Sequence, residues 1–142
     1  MTKKIELSGK KTNDSSKVLI NQRVTHSERI VFNFSFLTSD KKYNFTKLEK
    51  GLYKPLFHSI EKLSSEHLIY ILNRSKEQGV EFIDELKHSI TLTEFSNTER
   101  ERECDDKFCV VRISDKGRLI GKMNGNLFYV LAVDTKFDLY DH

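Results

Sequence analysis

The chain has no tryptophan, one proline, two cysteines and six glycines among its 142 residues. Each scarcity excludes something. Cys104 and Cys109 are too few for a disulfide framework, and no histidine stands at finger spacing from them, so a structural zinc site is not expected either. The glycines do not gather into a phosphate-binding loop. There is no Gly-x-Ser-x-Gly elbow, no His-Glu-x-x-His and no Cys-x-x-Cys. His26, His58, His67, His88 and His142 are scattered, without metal spacing. These gaps weigh against a metalloenzyme and a Ser-His-Asp hydrolase, and no metal or cofactor is expected. No apolar run is long enough to span a bilayer, and the basic N-terminus lacks a signal-peptide core. The expectation is a soluble, cytoplasmic protein without a membrane partner.

What is present is charge and phenylalanine. Charged residues make up 32% and hydrophobic ones 37%, which is polar for a globular domain but not disordered in composition. The formal net charge of +3 is unevenly spread. Lys3, Lys4, Lys10, Lys11, Lys17, Arg23 and Arg29 face only Glu6, Asp14 and Glu28 in the first thirty residues. Residues 1–28 therefore read as a flexible basic arm, with Val18-Leu19-Ile20 its only apolar cluster. Such an arm could touch RNA or an acidic partner, or simply be solvated. Residues 29–142 read as a single α+β domain.

The domain is organised around its last third. Phe108–Ser114, Arg118–Met123 and Leu127–Asp134 are rich in Val, Ile, Phe and Tyr, and polar glycine turns separate them. They predict an antiparallel meander, with Lys116-Gly117 and Asn124-Gly125 supplying the positive φ of tight hairpins. Ile30–Leu37 alternates, with Phe32, Phe34 and Phe36 on one face, and predicts an N-terminal strand. Leu48, Leu52, Leu56, Ile60 and Leu63 recur at helical spacing, and Pro55 places the start of that helix near Lys54. Ser64 or Ser65 is the expected N-cap of a second helix through Leu68, Ile69, Ile71 and Leu72, with Gly79 its C-cap. The two make a helical hairpin that covers the meander. Val80–Ile83 could be extended, Ile90–Phe95 is ambiguous, and Asn97–Lys107 is a charged loop or frayed helix. Strands and helices do not alternate strictly, so the class is α+β. The first strand is expected to pair with the meander once the helices have crossed its face.

The groups able to carry chemistry lie on the meander. Arg112 alternates with Val111 and Ile113 and points away from their face. Arg118 opens the next strand, Lys122 shares its face, and Lys136, Tyr140 and His142 follow the third strand. On a twisted sheet these could converge into a concave basic surface that suits a phosphodiester, because arginine contacts phosphate bidentately. Cutting the backbone would require a base for the 2′-hydroxyl and an acid for the leaving oxygen. An ordinary polar sheet face with scattered Arg and Lys stays open beside that reading.

Asp115-Lys116-Gly117-Arg118-Leu119-Ile120-Gly121, then Asn124-Gly125-Asn126-Leu127-Phe128-Tyr129-Val130-Leu131-Ala132-Val133-Asp134 and the closing Leu139-Tyr140, resemble the RelE/ParE toxin superfamily. The order of strand, helical hairpin and meander matches as well. The resemblance is closest over Phe108 to Tyr140. It implies a bacterial or mobile-element toxin neutralised by a cognate antitoxin protein. It further implies a metal-independent, ribosome-dependent mRNA endonuclease. Arg118 would then contact the scissile phosphate, Tyr140 would act in acid/base catalysis and Lys136 would add a further catalytic charge. Arg112, Lys122 and His142 would bind RNA. Here the tail before Tyr140 is short, and Phe137 stands where some relatives carry histidine. The alternative keeps the fold without the chemistry: a gyrase-type poison, or a phage or mobile-element inhibitor of a host protein. Under the nuclease reading, Arg118→Ala and Tyr140→Phe are expected to relieve toxicity without unfolding, both residues being exposed at the meander's end.

Overall fold

The computed structural model describes residues 28–141. The expected basic arm therefore lies almost wholly outside the described residues, and so does His142. The architecture is α+β, with few helices and one five-stranded mixed sheet. Its strands are β1 (Val31–Asn33), β2 (Val80–Ile83), β3 (Phe108–Ser114), β4 (Gly117–Asn124) and β5 (Leu127–Asp134). The helices are α1 (Tyr53–Ser64), α2 (Leu68–Leu72) and the single turn α3 (Glu99–Arg102). The strand order is β1-β5-β4-β3-β2. β1 runs parallel to β5, and all other neighbours are antiparallel. The meander and the return of the first strand to its side are as the sequence predicts.

The central strands are apolar on both sides, because both faces of the sheet are covered. On one face Leu56 and Leu63 of α1 and Leu68 and Ile71 of α2 pack on Val111, Ile113, Leu119, Val130 and Val133. Each such leucine contributes about 1.5–3 kcal/mol by leaving water. On the other face an irregular segment and the C-terminal residues close over Val110, Ile120 and Ala132, with Leu86, Ile90, Leu139 and Tyr140 packed there. Phe95 completes that layer against Tyr129 and Leu131. The expected solvent-facing basic surface is thus largely roofed over.

Several local expectations need correction. The N-terminal strand stops at Asn33, whose Oδ1 accepts the Ser35 N–H at 2.8 Å and turns the chain. Phe32 and Phe34 stay with the helical layer. Phe36 crosses to the opposite face, 5.7 Å from the Tyr129 ring. α1 starts at Tyr53, close to the predicted point, but α2 has only five residues and its N-cap is His67. Ser65 instead donates to the Lys62 carbonyl. Gly79 is not a helix cap; a Cβ there would stand 2.4 Å from the Ile71 carbonyl oxygen, so glycine permits a close approach. Only Gly125 of the two hairpin glycines takes positive φ, at 61°. Residues 90–92 are irregular and 93–97 form turns, and Asn97–Lys107 contains the one-turn helix α3 with Thr98 as its side-chain cap.

Candidate functional site

Arg112 and Arg118 are direct partners across β3 and β4. Like charges placed opposite one another repel, and the two side chains resolve this by diverging. Arg112 stays one-third exposed, and its Nη2 lies 4.0 Å from Glu77 Oε2 on the turn before β2. Arg118 turns inward and is 5% exposed. Its Nη1 donates to the carbonyls of Ser114 and Gly117, each at 2.8 Å. Its guanidinium sits 5.0 Å from the Phe137 ring centroid.

The C-terminal segment forms the roof of this corner, and Asp134 shapes it. The Asp134 carboxylate is fully buried and accepts the backbone N–H groups of Lys136, Phe137 and Leu139 at 3.1, 2.9 and 3.1 Å. That cap folds the chain back immediately after β5, through Phe137 at a φ of 59°. Positive φ is unfavourable for a bulky residue and persists only where its surroundings impose it. The returning segment is then fastened. Asp138 accepts from Lys42 at 2.6 Å and from the Tyr43 hydroxyl at 2.9 Å. The Leu139 carbonyl accepts from the Lys87 N–H at 2.7 Å.

Tyr140 is drawn inward with it and is 3% exposed. Its hydroxyl makes a long contact of 3.5 Å to Glu81 Oε1 on β2. Burial, with Glu81 in second place, pushes the phenol above its ordinary value, while a hydrogen bond from Arg118 and the charge of Arg112 oppose the shift. The hydroxyl is therefore held protonated, a better donor than proton acceptor. The expectation that Arg118 and Tyr140 are exposed is thus corrected. Both belong to an interior network with Arg112 and Glu81, because the polar face of the meander is covered.

The remaining site residues do not join that network. Lys136 is exposed and lines a different cleft, with Lys42, Asn44, Lys47, Leu48, Val133 and Thr135. Lys122 shares the sheet face of Arg118 but lies four residues along β4, about 13 Å away at strand rise. Its ammonium stands 5.0 Å from the Phe108 ring centroid. His142 lies outside the described residues. Beside Tyr140 opens a cleft of about 660 Å³ lined by Ile83, Asp84, Glu85, Leu86, Lys87 and Asp141, which is acidic rather than basic. Among the described residues no cluster of His, Cys, Asp or Glu could hold a metal ion. Burial raises the thiol pKa of both Cys104 and Cys109, which disfavours the reactive thiolate.

Sequence reasoning missed Glu81, Asp134 and Asp138. Asp134 carried a signal, a single acid ending a long apolar strand just before a polar turn, the position from which aspartate caps backbone N–H groups. Apolar exposure is concentrated elsewhere. Phe57 of α1 and Ile69, Tyr70 and Leu72 of α2 are 63%, 57%, 60% and 44% exposed. Among the described residues no helix is long and apolar enough to cross a membrane. No protein-family model, no curated protein and no solved structure matches the chain.

Proposed function

We propose that this protein is a toxin-like inhibitor with a RelE/ParE-type arrangement, from a bacterium or mobile element, that acts by binding a host protein. The observation that carries this reading is the contrast between its two sets of side chains. Arg118 and Tyr140 are engaged inside the fold, while the short helical layer turns Phe57, Ile69, Tyr70 and Leu72 outward. Large apolar groups exposed on one layer favour a protein partner over a polyanion. The arrangement itself draws support from the element order and from β1 returning beside β5. A cognate antitoxin would be a second protein partner.

Cleavage of ribosome-bound mRNA is the second reading. It is favoured by the convergence of Arg112, Arg118 and Tyr140 at one corner of the sheet. It requires the C-terminal roof to lift, and it proceeds without Lys136 unless the tail rearranges.

Inducible expression in a bacterial host, with growth and mRNA integrity followed together, separates the two. Binding predicts growth arrest with intact mRNA, and loss of arrest in a folded Phe57→Ser/Tyr70→Ser variant. New codon-phased mRNA ends would instead establish the nuclease. No arrest would refute a toxin-like role.

A further inference from the structure

The cleft that holds Lys136 has a construction of its own. Its volume is about 320 Å³, and lysines 42, 47 and 136 line it together with Asn44 and Thr135. Two capped turns carry Lys47 and Lys136. Asn44 Oδ1 accepts the Thr46 N–H at 2.9 Å and starts the 3-10 turn Phe45–Lys47, which ends on Lys47. Asp134 Oδ1 accepts the Lys136 N–H at 3.1 Å and sets the other turn. The walls are tied to each other by Val133 N–H donating to the Tyr43 carbonyl at 2.8 Å, and by Asp138 bound to Lys42 and Tyr43. Asp138 compensates Lys42. Neither Lys47 nor Lys136 has a carboxylate partner among the described residues. Two ammonium groups without a carboxylate partner among the described residues are thus carried on hydrogen-bonded turns around a space of small-ligand size, with Leu48 supplying an apolar contact.

We propose that the cleft between Lys42, Lys47 and Lys136 is an anion site that takes the diphosphate of a free nucleotide. Two lysine ammonium groups offset most of the charge of a diphosphate and meet it as compact, rotatable donors. The Thr135 side chain and the Leu48 wall offer a hydroxyl and an apolar surface to the rest of the ligand. The proposal does not depend on the protein-binding function.

The test is titration of the full chain with inorganic pyrophosphate and with ADP at about 0.15 M salt, where exposed charges are already screened, followed by calorimetry. Saturable binding of both probes is expected. In Lys47→Ala/Lys136→Ala the affinity should fall at least about tenfold with the thermal midpoint unchanged, since both side chains are exposed. Lys107→Ala, which removes an exposed lysine paired with Asp84, should leave binding intact. Absence of saturation at low-millimolar probe, or an equal loss in Lys107→Ala, would overturn the site. Single-stranded RNA binding at these lysines without pyrophosphate or ADP binding would also overturn it, in favour of a nucleic-acid surface.

Discussion

Replacing Arg118 by alanine tests whether this residue builds the fold or performs chemistry. The side chain is almost fully buried and holds both ends of the β3–β4 hairpin through the Ser114 and Gly117 carbonyls. Two charge-assisted hydrogen bonds to backbone carbonyls at roughly 1.5 kcal/mol each, and a cation–π contact with Phe137 at about 1 kcal/mol, make a gross loss near 4 kcal/mol before the hydrogen bond to Tyr140 is counted. Removing the guanidinium also relieves its own desolvation, which brings the net destabilisation to about 2–3 kcal/mol. With a urea slope of about 2 kcal/mol/M, the unfolding midpoint should fall by roughly 1–1.5 M. Arg112→Ala is the internal control. Its side chain is one-third exposed and its ion pair with Glu77 is 4.0 Å long, so the shift should stay under about 0.5 M. The assay is urea denaturation followed by far-UV circular dichroism. An Arg118→Ala protein with an unchanged midpoint would refute the structural assignment. If that stable variant also lost growth arrest, Arg118 would return to a direct functional role.

Other perturbations follow from the same geometry. Gly121 sits at the β4–β5 register shift, where a Cβ would stand 1.8 Å from the Tyr129 carbonyl oxygen. Gly121→Ala should therefore cost more than about 3 kcal/mol and lower the melting temperature by roughly 6–12 °C; a melting temperature within error of the parent would show that the strands part freely there. The Asp138 carboxyl is held below its ordinary value of 3.8, first by the Lys42 ammonium and then by the Tyr43 hydroxyl. A depressed folded-state pKa means that the unfolded chain binds the proton more readily, so this contribution is complete above about pH 4 and is lost as the pH falls through the folded value. Asp138→Asn should accordingly flatten the fall in stability below about pH 4; parallel stability–pH curves for the two proteins would refute the link.

Local sequence determined the meander because its signals are local. Apolar β-branched runs broken by Lys116-Gly117 and Asn124-Gly125 specify strands and hairpins within a few residues, and they emerge as β3, β4 and β5. The start of α1 is equally local, set by Pro55 and the leucine spacing. The alternation along β3 also put Val111 and Ile113 together on the face that the helical layer covers.

Tertiary structure decided what lies on the opposite face. A polar or mixed segment such as 84–97 carries no periodicity, so nothing in its pattern announces that Leu86, Ile90 and Phe95 come down over the sheet. The tail's return depends on one buried carboxylate collecting three N–H groups. Contacts such as Tyr140 with Glu81 join residues 59 positions apart in the chain. Alternation within a strand tells which residues share a side, but not whether that side meets water. Arg118 and Tyr140 were therefore legible as neighbours and illegible as interior residues, because burial is a property of every segment that packs against them.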